Sequence, residues 1–131
     1  MTPDELLPNA KNFLKECKDN KIKTAIGSAS KNAMLILERL QIVDLFDCII
    51  DGTKVNSAKP DPEVFLKGAK ELKINSSNCI VFEDAEAGIE AAINAKMKSI
   101  GIGKPEILYK ADLVIPGFQN FTVNDMIAKF S

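Results

Sequence analysis

The feature that most constrains this chain is the steady exchange of two periodicities along it, helical spacing giving way to short apolar runs and back. Ala10, Phe13, Leu14 and Cys17 recur at i, i+3, i+4 and i+7, which predicts an amphipathic helix over residues 8–19 with Pro8 near its first turn. Residues 23–27 are short, apolar-rich and bounded by polar residues, and so read as a strand. Ala33, Ile36, Leu37 and Leu40 restore the helical spacing over 31–40, and 46–50 reads as a second strand. Residues 51–59 are polar, contain Gly52 and form a loop. Asp61 then looks like an N-cap, with Pro62 at the first helical position and Phe65, Ala69 and Leu72 on the inner face. A third strand over 79–82 ends abruptly at Glu83 and Asp84. A helix over 86–95 follows, small on its inner side at Ala87, Ala91, Ala92 and Ala95. Residues 98–102 give a fourth strand and 111–115 a fifth. Thr122 and Asp125 have the spacing of a capping box, opening a last helix that runs to Phe130.

Strands that alternate with helices, through connections too long for hairpins, favour one α/β fold: a Rossmann-like parallel sheet with helices on both faces. At 131 residues the chain has the length of a single domain, with no repeat, low-complexity tract or linker to divide it. In such sheets ligands bind beyond the carboxyl ends of the strands, so function is expected just after Gly27, Ile50, Phe82 and Ile102.

Charge excludes several classes. Seventeen basic residues against eighteen acidic ones leave a net charge of −1, with no dense basic run, so nucleic acid is not expected as a partner. No apolar stretch approaches the ~18 residues of a membrane span, and the first eight residues lack the pattern of a signal peptide. Cys17, Cys48 and Cys79 are odd in number, far apart and set among apolar neighbours, and read as buried reduced thiols of a cytoplasmic protein. Histidine is absent, so proton transfer and metal binding must rest on carboxylates.

Three constellations can carry chemistry. At Gly27, Ser28, Ala29, Ser30, Lys31 and Asn32, a strand ends in small hydroxyl residues and a helix begins at once. Such a junction aims unpaired backbone N–H groups and short hydroxyls at one spot, an anion cradle, although Ser30 could equally be no more than a helix cap. Glu83 and Asp84 stand side by side at a strand end. Adjacent carboxylates there repel one another, and a hard cation with oxygen ligands, Mg2+ above all, relieves the cost. An N-cap beside a solvated glutamate is the plainer alternative. Lys59 is flanked by Pro60 and Pro62, which restrict the backbone around it and fit it to act as a point charge on a phosphoryl group. A lone loop lysine is otherwise simply solvated, and the three signals gain weight only together.

In that order along the chain the three resemble three of the four motifs of the haloacid dehalogenase superfamily. Ser28 matches the hydroxyl of the second motif, Lys59 the lysine of the third, and Glu83 with Asp84 the acidic pair of the fourth. The resemblance runs from about Leu7 to Phe130. The stretch Ser28, Ala29, Ser30, Lys31, Asn32, followed by Leu37, Glu38, Arg39 and Leu40, is similar to the β-phosphoglucomutase-like subfamily. The resemblance implies that Ser28, the Ala29 N–H and Lys59 hold the transferring phosphoryl group. It implies that Glu83 and Asp84 contribute to a Mg2+ shell, and that Ser30, Lys31 and Asn32 hold a second phosphate of a small phosphorylated sugar. The implied reaction converts β-glucose 1-phosphate to glucose 6-phosphate through a phosphoaspartyl enzyme. A sugar-phosphate phosphatase and a non-catalytic phosphate-binding module are the alternatives.

One departure matters as much. The first motif of the superfamily, an apolar strand followed by Asp-x-Asp that supplies the nucleophile, has no counterpart here. Asp47 and Asp51 lie four apart around a strand, and Asp51, Gly52, Thr53 lacks the aspartate that should precede it. The helical cap domain has no counterpart either. Residues 1–131 are therefore expected to be the C-terminal portion of a haloacid-dehalogenase-like core, a fragment or a subunit awaiting a complement. Such a chain is expected to be inactive alone. The nucleophile strand of that fold lies mid-sheet, so its lack exposes two edges, and the chain is expected to self-associate or to bind an N-terminal segment.

Overall fold

The computed structural model describes residues 9–27, 45–50 and 54–130. The expected helix over 31–40 lies outside them. In chain order the described elements are α1 (Asn9–Asp19), β1 (Ala25–Gly27), β2 (Cys48–Ile50), α2 (Glu63–Leu72), β3 (Ile80–Glu83), α3 (Glu86–Asn94), β4 (Lys98–Ile102), β5 (Leu113–Ile115) and α4 (Val123–Phe130). Every ladder is parallel, as the alternation of strands and helices requires.

The strands form two sheets. β1 pairs with β2, with Ala25 opposite Cys48 and Gly27 opposite Ile50. β3, β4 and β5 form the other, with Glu83 opposite Gly101 and Ile102 opposite Ile115. Among the described residues no ladder joins the two sheets. They are tied instead through helices: α2 lies on β1 and β2, α3 lies on β3 and β4, and α2 touches α3.

Period-two alternation in β3 distributes its side chains between two cores. Ile80 and Phe82 join a cluster built on Phe13 and Cys17 of α1, Ile100, Ile115, and Val123 and Met126 of α4. Phe13 sits 5.3 Å from the Phe82 ring and 5.1 Å from that of Phe118, contacts worth about 0.5–1.5 kcal/mol each beyond their burial. Val81 faces the other way, into Ala69, Ala92, Ala95 and Met97. Helices therefore cover both faces of the three-stranded sheet. By the same alternation Glu83 rises on the α2–α3 side.

Three expectations shift in detail. Ala87 is exposed, because the inner face of α3 runs through Gly88, Ile89, Ala91, Ala92 and Ala95. The glycine had no apolar side chain to mark it. Pro62, with φ −78° and ψ 0°, takes the cap position of α2, so helix begins one residue later than expected. Asp61 still serves that helix start, its Oδ1 accepting the Glu63 N–H at 2.9 Å. The third strand also extends one residue beyond expectation and takes in Glu83. The capping box is present as read: the Thr122 N–H donates to Asp125 Oδ2 at 2.9 Å, and the Asp125 N–H to Thr122 Oγ1 at 3.1 Å. All three cysteines are free, but only Cys17 is buried as expected; Cys48 and Cys79 are half-buried. Burial pushes the thiols of Cys17 and Cys48 up to about 11, helped by Glu16 and Glu71 respectively, so both are uncharged at neutral pH.

Candidate active site

Lys59 and Glu83 are 24 positions apart in sequence and meet at the carboxyl end of β3. The Lys59 Nζ lies 2.6 Å from Glu83 Oε2, a short charge-assisted contact. The pair is sheltered, the two side chains being 25% and 9% exposed. The ammonium also stands 5.0 Å from the centroid of the Phe65 ring, within cation–π range. Asp84 follows, half-buried, and its backbone N–H donates to Glu83 Oε1 at 3.2 Å. Both carboxylate oxygens of Glu83 are thus engaged.

The loop that carries Lys59 is held from two helices. At the start of α2, Glu63 Oε1 accepts the backbone N–H groups of Asn56 and of Ser57, the latter at 3.0 Å. Those donors hold the Glu63 carboxyl below the usual range. At the end of α3, Asn94 Nδ2 donates to the Pro60 carbonyl at 3.1 Å. The Asp61 N–H closes the turn onto the Ala58 carbonyl at 3.0 Å, and the Lys59–Pro60 peptide is cis. Two prolines in sequence signalled a restrained lysine. Nothing in sequence signalled Asn94, and Glu63 showed only as an acidic residue in a helix's first turn.

The structure thus brings Lys59, Glu83 and Asp84 to one place. Ser28, Ala29, Ser30, Lys31 and Asn32 lie outside the described residues, as does Asp51. Gly27, which immediately precedes Ser28, ends β1 against α2, where a Cβ on it would lie 2.8 Å from Val64 Cγ2 and 3.7 Å from Phe65 Cε1. Gly27 thus packs on the flank of the helix that carries Phe65, and the Phe65 ring in turn underlies Lys59.

The counter-charge that the acidic pair required is furnished here by Lys59. As a donor set, Glu83 and Asp84 suit Mg2+, which takes oxygen ligands and commonly one or two carboxylates with substrate phosphate and water completing its shell. Among the described residues no third carboxylate, cysteine or histidine joins them in a metal-holding group. The pair fits part of a Mg2+ shell. Among the described residues no helix is long and apolar enough to cross a membrane.

The model of the haloacid dehalogenase-like hydrolase family matches residues 4–102 of this sequence. The chain belongs to that family. Among haloacid dehalogenase-like relatives, β-phosphoglucomutase of Bacillus subtilis (strain 168) is 40% identical over 123 residues, covering 94% of this chain and 54% of its own length. Hexitol phosphatase B of Escherichia coli (strain K12) is 29% identical over 126 residues, covering 95% of this chain and 57% of its own. The crystal structure of β-phosphoglucomutase from Clostridium difficile matches with a TM-score of 0.92 and 42% identity, over 99% of this chain and 58% of that one. The chain spans a little over half the length of these haloacid dehalogenase-like proteins.

Proposed function

We propose that this chain is the phosphate- and cation-handling part of a phosphotransfer enzyme acting on a small phosphorylated sugar. The reading rests on one observation above all: Lys59 and the acidic residue Glu83 converge at the carboxyl end of a parallel strand, with Asp84 beside them. An ammonium held beside a carboxylate pair can stabilise charge that develops on a transferring phosphoryl group. In this reading Ser28 and the Ala29 N–H bind the same phosphoryl group, while Ser30, Lys31 and Asn32 orient the sugar through its second phosphate. Glu83 and Asp84 would hold Mg2+, which neutralises phosphate charge when bound. The nucleophilic aspartate belongs to a segment outside residues 1–131, and these residues are the C-terminal portion of the core domain.

The specific reaction proposed is the interconversion of β-glucose 1-phosphate and glucose 6-phosphate. The identity with β-phosphoglucomutases supports it. A sugar-phosphate phosphatase is the second reading, favoured by the likeness to hexitol phosphatase B and, at 34% identity over 80 residues, to fructose-1-phosphate phosphatase YqaB of Escherichia coli (strain K12). The two are separated by assaying the chain joined to its complementing segment, with β-glucose 1-phosphate, Mg2+ and sugar bisphosphate. Glucose 6-phosphate without free phosphate supports the mutase. Phosphate release without isomer exchange rejects it in favour of the phosphatase.

The division of the sheet between β1 and β3 supports a partner as well. A single apolar strand, parallel to both, would join the two sheets and satisfy both edges. The occupant proposed is an N-terminal segment of the complete protein, with self-association as the recourse of the chain alone. Sedimentation of residues 1–131 as a stable, fully folded monomer would count against both.

A further inference from the structure

We propose that Gly88 is a positioning residue whose missing side chain seats the Glu83 carboxylate against Lys59. Glu83 ends β3, and its side chain folds back across the first turn of α3. A Cβ built on Gly88 would lie 1.9 Å from Glu83 Cγ, 2.1 Å from its Cδ and 2.3 Å from its Oε2. These are far inside any real contact, and the atoms they meet are not a loose end. Oε2 is fixed by the Lys59 ammonium and Oε1 by the Asp84 N–H, and Glu83 is 7% exposed. The carboxylate occupies the room that a side chain at position 88 would need.

Two ordinary reasons for a glycine do not apply. Gly88 does not adopt the left-handed conformation that calls for one, unlike Gly103 with its φ of 144°. Helical propensity argues against it as well, since glycine is among the poorest residues inside a helix and alanine the best. What remains is space, and the three atoms nearest to it all belong to Glu83, whose carboxylate holds Lys59. The importance of this seating for phosphoryl transfer rests on the function proposed above, but the seating itself is a property of this chain.

The test is a double-variant cycle on the full chain, with Gly88→Ala made alone and together with Glu83→Ala. Gly88→Ala alone should lower the melting temperature by ~5 °C or more. In the Glu83→Ala background the same change should be neutral or raise it, because the collision is gone and alanine favours the helix. In parallel, the Lys59 side-chain ammonium should give a slowly exchanging NMR signal in the parent chain and lose it in Gly88→Ala, a signature that simple helix damage would not touch. If Gly88→Ala alone fails to fold while the double variant folds, the seating is supported. Equal losses in both backgrounds, failure of both variants to fold, or an unchanged Lys59 signal would each overturn it. None of these readouts involves turnover, so their failure would leave the phosphotransfer reading standing.

Discussion

The two sheets of this molecule differ in how completely they are finished. β4 runs through the middle of one, paired on both sides, with Ser99, Ile100 and Gly101 buried and helices above and below. In the other, β1 pairs among the described residues with β2 alone, its Ala25 exposed and its Ile26 and Gly27 half-buried. Hydrogen-bond ladders hold the first sheet together. The second is tied to it by helix contacts and, at one end, by Lys59 and Glu83. The difference shows that the candidate site is also a seam, where Lys59 and Glu83 fasten two sheets that no ladder joins among the described residues.

The largest effect should come from the finished sheet. Ile100→Ala removes a fully buried side chain and should cost about 2–5 kcal/mol, whereas Ile26→Ala, half-buried on an edge, should cost roughly 1 kcal/mol. Denaturant titration of both variants measures this, and equal losses would erase the contrast.

The seam comes next. Lys59→Ala leaves a sheltered carboxylate unpaired and should destabilise the chain by about 3 kcal/mol, much of it regained when Glu83→Gln is added. A loss confined to a few tenths would mean that the pair fastens nothing. In the completed enzyme the same Lys59→Ala change should reduce turnover by about 100-fold or more, read by steady-state kinetics. Asp125→Ala should cost about 1 kcal/mol by undoing the capping box of α4, and thermal melts should show it at any Mg2+ concentration. The smallest change is expected from Asn94→Ala, about 0.5 kcal/mol, accompanied by faster hydrogen exchange around Ala58 and Asp61. Unchanged exchange there would show that α3 does not restrain the lysine loop.

What could be seen in sequence follows the range of the interactions involved. The capping box was legible because Thr122 and Asp125 are three residues apart and answer each other directly. The strand 98–102 was legible because a short apolar run bounded by polar residues suits a buried strand. Local pattern placed Lys59, Glu83 and Asp84 at strand and loop ends, which is where chemistry resides in a parallel sheet. It could not show that Lys59 would settle on Glu83, since the contact spans 24 positions and depends on how α2 meets α3. The misplaced Ala87 has another root: a glycine is silent in an apolar pattern, yet Gly88 is buried, with the side chain of Glu83, five residues before it, lying over it.

Gly27 carries a related lesson about leverage. Val64 leaves it no clearance, and the next residue on that helix, Phe65, backs the lysine. Enlarging position 27 would act as a wedge beneath α2, tilting the aromatic floor away from the ammonium without altering any group proposed to handle phosphate. Such a variant would be damaged in alignment while keeping every reactive atom it had before.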